Sequence, residues 1–147
     1  MDTRRARLTG EERSELNKLL DQMEDAAPGD VLLAQFGALM AKTDAYDPLP
    51  GESPAVACNM QVSQVWPQAA EMRKTGELLA LGENTSCPVV AIHGDHDPHP
   101  AEGVEKPLSS VLADFGFILL SRCGHSPWQE RYARDAFYRA LDRVLGT

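Results

Sequence analysis

The stretch Cys87-Pro-Val-Val-Ala-Ile-His-Gly-Asp-His-Asp97-Pro-His99 decides the fold class. Val89, Val90, Ala91 and Ile92 form a short apolar run, rich in β-branched residues and without polar alternation. That is the pattern of a strand buried on both faces, as in a parallel sheet. The run stops at Gly94, and carboxylate and imidazole side chains crowd the next few positions. In open parallel sheets the chemistry sits just past the carboxyl ends of the strands. Pro98 biases Asp97 toward extended backbone, which holds its carboxylate out on a stiff loop.

Working outward toward the C-terminus, Pro107 is well placed as the first residue of a helix. Leu108, Val111 and Leu112 give that helix an apolar face, and it ends near Asp114. Phe117, Ile118, Leu119 and Leu120 form a second continuous apolar run of buried-strand type. It ends at Ser121-Arg122-Cys123-Gly124-His125. Ser126, Pro127 and Gln129 then read as the cap, first residue and capping-box partner of a last helix. That helix carries Trp128, Tyr132, Phe137, Leu141, Val144 and Leu145, with Trp128 and Phe137 taken as core. On the N-terminal side a helix is expected from about Val65 to Leu81, with Trp66, Ala69, Ala70, Met72, Leu78 and Leu79 as apolar positions. Gly76 weakens its middle by about 1 kcal/mol relative to Ala, and Gly82 and Asn84 can close it. The order helix–strand–helix–strand–helix predicts two parallel strands joined by a right-handed crossover.

Further upstream, Thr9 followed by Glu12 is a capping-box signature, and Leu16, Leu19, Leu20 and Met23 recur at helical spacing behind it. Pro28-Gly29 ends this helix. Asp30 can cap a second one bearing Leu32, Leu33, Phe36, Leu39 and Met40. The pair reads as a helical hairpin. Residues 44–57 contain Pro48, Pro50, Gly51 and Pro54, the only stretch with linker composition. The expected division is therefore 1–57, hairpin plus linker, and 58–147, an α/β subdomain.

The chain has 147 residues, enough for one core, with 43% hydrophobic and 24% charged residues. A net charge of −8 argues against a sequence-independent nucleic-acid binder, which needs a basic face. No apolar run approaches the ~18 residues of a membrane helix. The basic start Met-Asp-Thr-Arg-Arg lacks the apolar stretch of a secretion signal. Cys58, Cys87 and Cys123 show no CxxC spacing, so three thiols in a reducing cytoplasm are expected, with Cys87 and Cys123 buried.

Both apolar runs end in loops of the same kind, one exposing Asp97 and the other His125. Between adjacent parallel strands such loops lie side by side. A carboxylate beside an imidazole holds the ring tautomer and stabilises the imidazolium formed in proton transfer. The bland alternatives are a turn-forming Asp97 and a structural histidine at a strand end. Asp95 reads as a turn or capping residue. His93, Asp95, His96, Asp97 and His99 offer donors suited to Zn²⁺. However, alternate residues on a tight loop rarely converge on one ion, and Pro98 and Pro100 restrict rearrangement.

The segments Pro88 to Pro98 and Cys123-Gly-His125-Ser-Pro-Trp-Gln-Glu130 resemble the last two strand–loop units of α/β-hydrolases. In that family the triad acid follows the seventh strand, and the triad histidine follows the eighth in a Gly-His loop. The resemblance covers about residues 65–147. It implies Asp97 as acid and His125 as base in hydrolysis of an ester, amide or related bond, with no cofactor or metal. The hairpin at 9–43 loosely resembles the lid inserted after the sixth strand. The family's nucleophile elbow, Gly-x-Ser-x-Gly, has its nearest match in Gly51-Glu52-Ser53-Pro54-Ala55. Pro54 lacks the N–H that the residue after the nucleophile donates, so this match is rejected.

The expectation is an α/β fold: an incomplete three-layer α/β-hydrolase-like unit of two parallel strands, preceded by a helical hairpin, without its nucleophile half. Such a chain is inactive alone and takes a small-molecule substrate only when a nucleophile-bearing half completes it. The competing expectation is a binding or assembly module that pairs through the open edge of the first strand. Its partner would be a second copy or a complementing chain, not nucleic acid or membrane.

Overall fold

The computed structural model describes residues 1–25, 29–50 and 65–146. Three helices come first: α1 (Asp2–Arg7), α2 (Gly10–Asp25) and α3 (Asp30–Asp44). The capping box at the start of α2 is formed. Thr9 N–H donates to Glu12 Oε2 at 2.9 Å, and Glu12 N–H to Thr9 Oγ1 at 3.3 Å. Glu12 also pairs with Lys42 on α3, and this bond, with those to Thr9, draws its carboxyl down to about 2. Leu16, Leu19, Leu39 and Leu8 form a buried cluster, with Leu20, Leu32, Phe36 and Met40 packed against it. Asp30 is the first residue of α3 rather than its cap; Gly29 occupies the cap position and no side chain bonds there. The basic opening residues are not featureless. Arg4 makes a two-pronged bond to the Asp44 carboxylate at 2.6 and 2.7 Å, and Arg7 donates to the Thr43 carbonyl at 2.6 Å. α1 thereby clamps the C-terminal end of α3, where unpaired carbonyls attract cations.

The helix expected over 65–81 is broken. It runs as α4 (Val65–Thr75), then α5 (Glu77–Ala80), then a 3₁₀ turn over Leu81–Asn84. Gly76 sits at φ 82°, a left-handed conformation that a residue with a Cβ seldom adopts, so it ends α4 rather than merely weakening it.

The strands are β1 (Val89–Gly94) and β2 (Phe115–Leu120), paired in parallel with Val89 opposite Phe115 and Gly94 opposite Leu120. The architecture is thus mixed α/β, helices around a two-stranded parallel sheet. Burial of the strands departs from expectation. Val89–Ile92 and Phe115–Ile118 are only half-buried, and Leu119 is 52% exposed. Among the described residues, the sheet has too few neighbours to cover both faces. The crossover helix α6 (Ala101–Val111) starts six residues ahead of Pro107, which lies inside it; Pro100 takes the cap position. The last helix also starts late. Pro127–Gln129 form a single 3₁₀ turn without a side-chain cap from Ser126, and α7 spans Arg134–Leu145.

Leu120, Cys123 and Ala133 form a second buried cluster, joined by Ile92, Ile118, Ala136 and Phe137. Cys123 is buried as expected, but Cys87 is exposed, and Trp128 is 44% exposed with its ring against Phe137. Cys58, the Gly51–Ala55 segment and the 57/58 boundary lie outside the described residues. No helix among the described residues is long and apolar enough to cross a membrane.

Candidate functional site

In-register pairing brings both strands to an end at the same level, so the loops after Gly94 and Leu120 leave side by side. Backbone bonds stitch them together. Asp95 N–H donates to the Leu120 carbonyl at 2.9 Å, and His96 N–H to the Cys123 carbonyl at 2.8 Å. Asp95 Oδ1 accepts from Cys123 N–H at 3.2 Å, so Asp95 is a structural tie between the loops. Gly94 is required for this approach: a Cβ there would collide with the Cys123 and Gly124 carbonyl oxygens.

The arrangement places Asp97 against His125. His125 Nδ1 lies 2.7 Å from Asp97 Oδ2, while the other oxygen, Oδ1, lies 2.8 Å from His99 Nδ1 and accepts from the His99 N–H at 2.8 Å. The Asp97 side chain is 5% exposed, whereas the His125 side chain is 56% exposed. Burial pushes the Asp97 carboxyl up. The His99 N–H and the His125 and His99 rings outweigh that and hold it below the usual carboxylate range. A charged carboxylate on Nδ1 leaves Nε2 of His125 as the basic nitrogen, and among the described residues nothing hydrogen-bonds to it.

Of the five residues weighed as a loop metal set, the loop brings together only part. His96 turns away and packs its ring on Tyr46, 5.2 Å between centroids. Asp95 is occupied by Cys123. His93 is buried with Nδ1 3.5 Å from Asp97 Oδ2. Asp97 and His99 instead join His125 from the second loop, their donor atoms all within 4.8 Å of one another.

Glu130 is the residue the sequence reading missed. It is 1% exposed, and its carboxylate accepts from three backbone N–H groups: Tyr46 at 2.8 Å, Asp47 at 2.8 Å and Gly124 at 2.9 Å. Pro48 bridges to its backbone, and His125 N–H donates to the Asp44 carbonyl at 2.8 Å. Residues 44–48 are therefore fastened to the Gly124–Glu130 segment rather than spanning a gap. This occupation of Glu130 also explains the late start of α7. The only hint in the sequence was an acidic residue five positions after a Gly-His pair, which carries no burial signal by itself.

His125 lies between two cavities. One, of about 120 Å³, is lined by Ala41, Asp44, Ala45, Pro48, Ser126 and Gln129. The other, of about 240 Å³, is lined by Ile92, His93, Asp97, His99 and Val104. No described serine or cysteine bonds to the ring. Cys123 cannot substitute as a nucleophile near neutral pH, because burial, with the Glu130, Asp95 and Asp97 charges, pushes its thiol up to about 12. Compared with known proteins, the chain matches no family model, no curated protein and no solved structure.

Proposed function

We propose that this chain supplies the acid and base of an α/β-hydrolase-type serine hydrolase, the nucleophile being carried elsewhere. The observation that supports the reading most is the 2.7 Å contact between a buried Asp97 carboxylate and Nδ1 of a half-exposed His125, at the tips of adjacent parallel strands. In this role Asp97 holds the tautomer, and His125 Nε2 takes the proton of an attacking hydroxyl and returns it to the leaving group. The half-buried sheet supports the same reading, because a sixth strand beside β1 and further layers would cover it. The α2–α3 pair then acts as the lid, with the 120 Å³ cavity beneath it as part of the substrate pocket.

The chain alone is expected not to label with a fluorophosphonate probe. The complementing partner would be a segment carrying a strand–Gly-x-Ser-x-Gly–helix. Co-expression of that segment should restore labelling, and His125→Ala should lower the labelling rate by several orders of magnitude. Restored labelling that survives His125→Ala would refute the assignment.

A second reading, an assembly module, is favoured by one observation: among the described residues, β1 pairs along one edge only. Backbone groups on the other edge are then free to take a strand from a second copy or a complementing chain. Size-exclusion chromatography across a concentration series tests it, and a monomer throughout would count against it.

A further inference from the structure

Asp97 serves two imidazoles, and a triad needs one. Oδ2 faces His125 Nδ1 at 2.7 Å and Oδ1 faces His99 Nδ1 at 2.8 Å. The two rings lie 5.6 Å apart between centroids, tilted 49° to one another. Ligands of a tetrahedral zinc stand about 3.3 Å from one another, since each sits about 2.0–2.1 Å from the ion. Both carboxylate–imidazole separations are already near that value. The two histidine side chains, 55% and 56% exposed, are free to turn about their own bonds and close the remaining gap.

His93 is an independent pointer to a ligand. Its side chain is 9% exposed, and its Nδ1 lies 3.5 Å from Asp97 Oδ2. Its Nε2 is buried with no hydrogen-bond partner among the described residues. It lines the same cavity of about 240 Å³ as Asp97, His99 and His125. Buried polar atoms are almost always paired, so an unpartnered nitrogen on a residue in the wall of that cavity marks a polar surface there that the chain itself leaves unsatisfied.

We propose that Asp97, His99 and His125 form a binding site for a transition-metal dication of the Zn²⁺ type, with His93 as its buried polar wall. Two imidazoles and one carboxylate select such ions over Mg²⁺ and Ca²⁺, which prefer all-oxygen shells. Three protein ligands leave the fourth position open to water or a ligand, as in reactive zinc sites. Coordination at Nδ1 moves each ring proton to Nε2, so the hydrogen bonds to Asp97 are exchanged for bonds to the ion without net proton change. A His125 that holds metal through Nδ1 therefore has no basic nitrogen left. Metal binding and base action exclude one another at this ring, but the site itself does not depend on the hydrolase reading.

Calorimetric titration of the full chain with zinc chloride at neutral pH tests the site directly, with magnesium chloride as the comparison. One equivalent of Zn²⁺ and no Mg²⁺ should bind. His99→Ala and His99→Gln alter a half-exposed ring and leave the Asp97–His125 pair in place. Each should weaken Zn²⁺ about tenfold or more, as loss of even an outer partner does at metal sites. His96→Ala should match the parent chain. Imidazole nitrogen resonances should move at Nδ1 of His99 and His125 on adding Zn²⁺. The proposal is overturned by absence of saturable Zn²⁺ binding, by binding indifferent to both His99 variants, or by imidazole shifts confined to other rings.

Discussion

The helical region and the strand region bury their apolar residues in opposite measure. Among α1–α3 and Leu8, which caps α1, Leu16 is fully enclosed, and Leu8, Leu19 and Leu39 are 3%, 4% and 8% exposed. In the sheet, eight strand residues from Val89–Ile92 and Phe115–Ile118 stay half-buried, and Leu119 faces out. The difference is geometric. A helix shows one apolar stripe, and a facing helix covers it. A two-stranded sheet shows two faces and two edges, and two flanking helices with one cap of side chains do not close them. The strand region instead gains its order from polar ties: Glu130 on three N–H groups and Asp95 across the loops.

Four measurements break or sharpen that contrast. Leu16→Ala should cost about 4 kcal/mol in urea unfolding, because its site is fully enclosed and cannot collapse. Glu130→Ala should cost about 3 kcal/mol, leaving three backbone donors without an acceptor, and should broaden the His125 resonances. If broadening is absent, the carboxylate is not what fixes the loop. Acid titration comes next. The Asp97 carboxyl is lower in the folded chain than in the unfolded one, so its stabilising contribution is complete above the ordinary carboxylate range. It is lost as pH falls through the folded-state value, and Asp97→Asn should flatten that part of the pH–stability curve. Leu119→Ala should change stability by only about 0.5 kcal/mol. A cost near that of Leu16→Ala would erase the distinction between the regions.

Much of this was legible in the sequence because it was periodic. The Thr9–Glu12 box, the leucine stripe and the two β-branched runs each announce themselves through local spacing. Asp97 and His125 were legible because parallel strand tips gather their loops. What was not legible depended on distant partners. Glu130 looks like any surface glutamate until residues 46, 47 and 124 bring it their N–H groups. Pro107 suggested a helix start because its N–H is missing, yet Pro100 also fits that role and lies at the observed boundary. His99 was weighed only with the donors of its own loop, because its partner in the cluster, His125, comes from the other loop and local spacing does not show that pairing. Strand burial was overestimated because a continuous apolar run reports what a strand can tolerate, not what surrounds it.

Asp44 has a consequence of its own. Its side chain grips Arg4, and its carbonyl receives the N–H of His125. The tail end of α3 and the imidazole-bearing turn therefore share a single rivet. A shift of the end of α3 is thus expected to carry the backbone of the His125 turn with it.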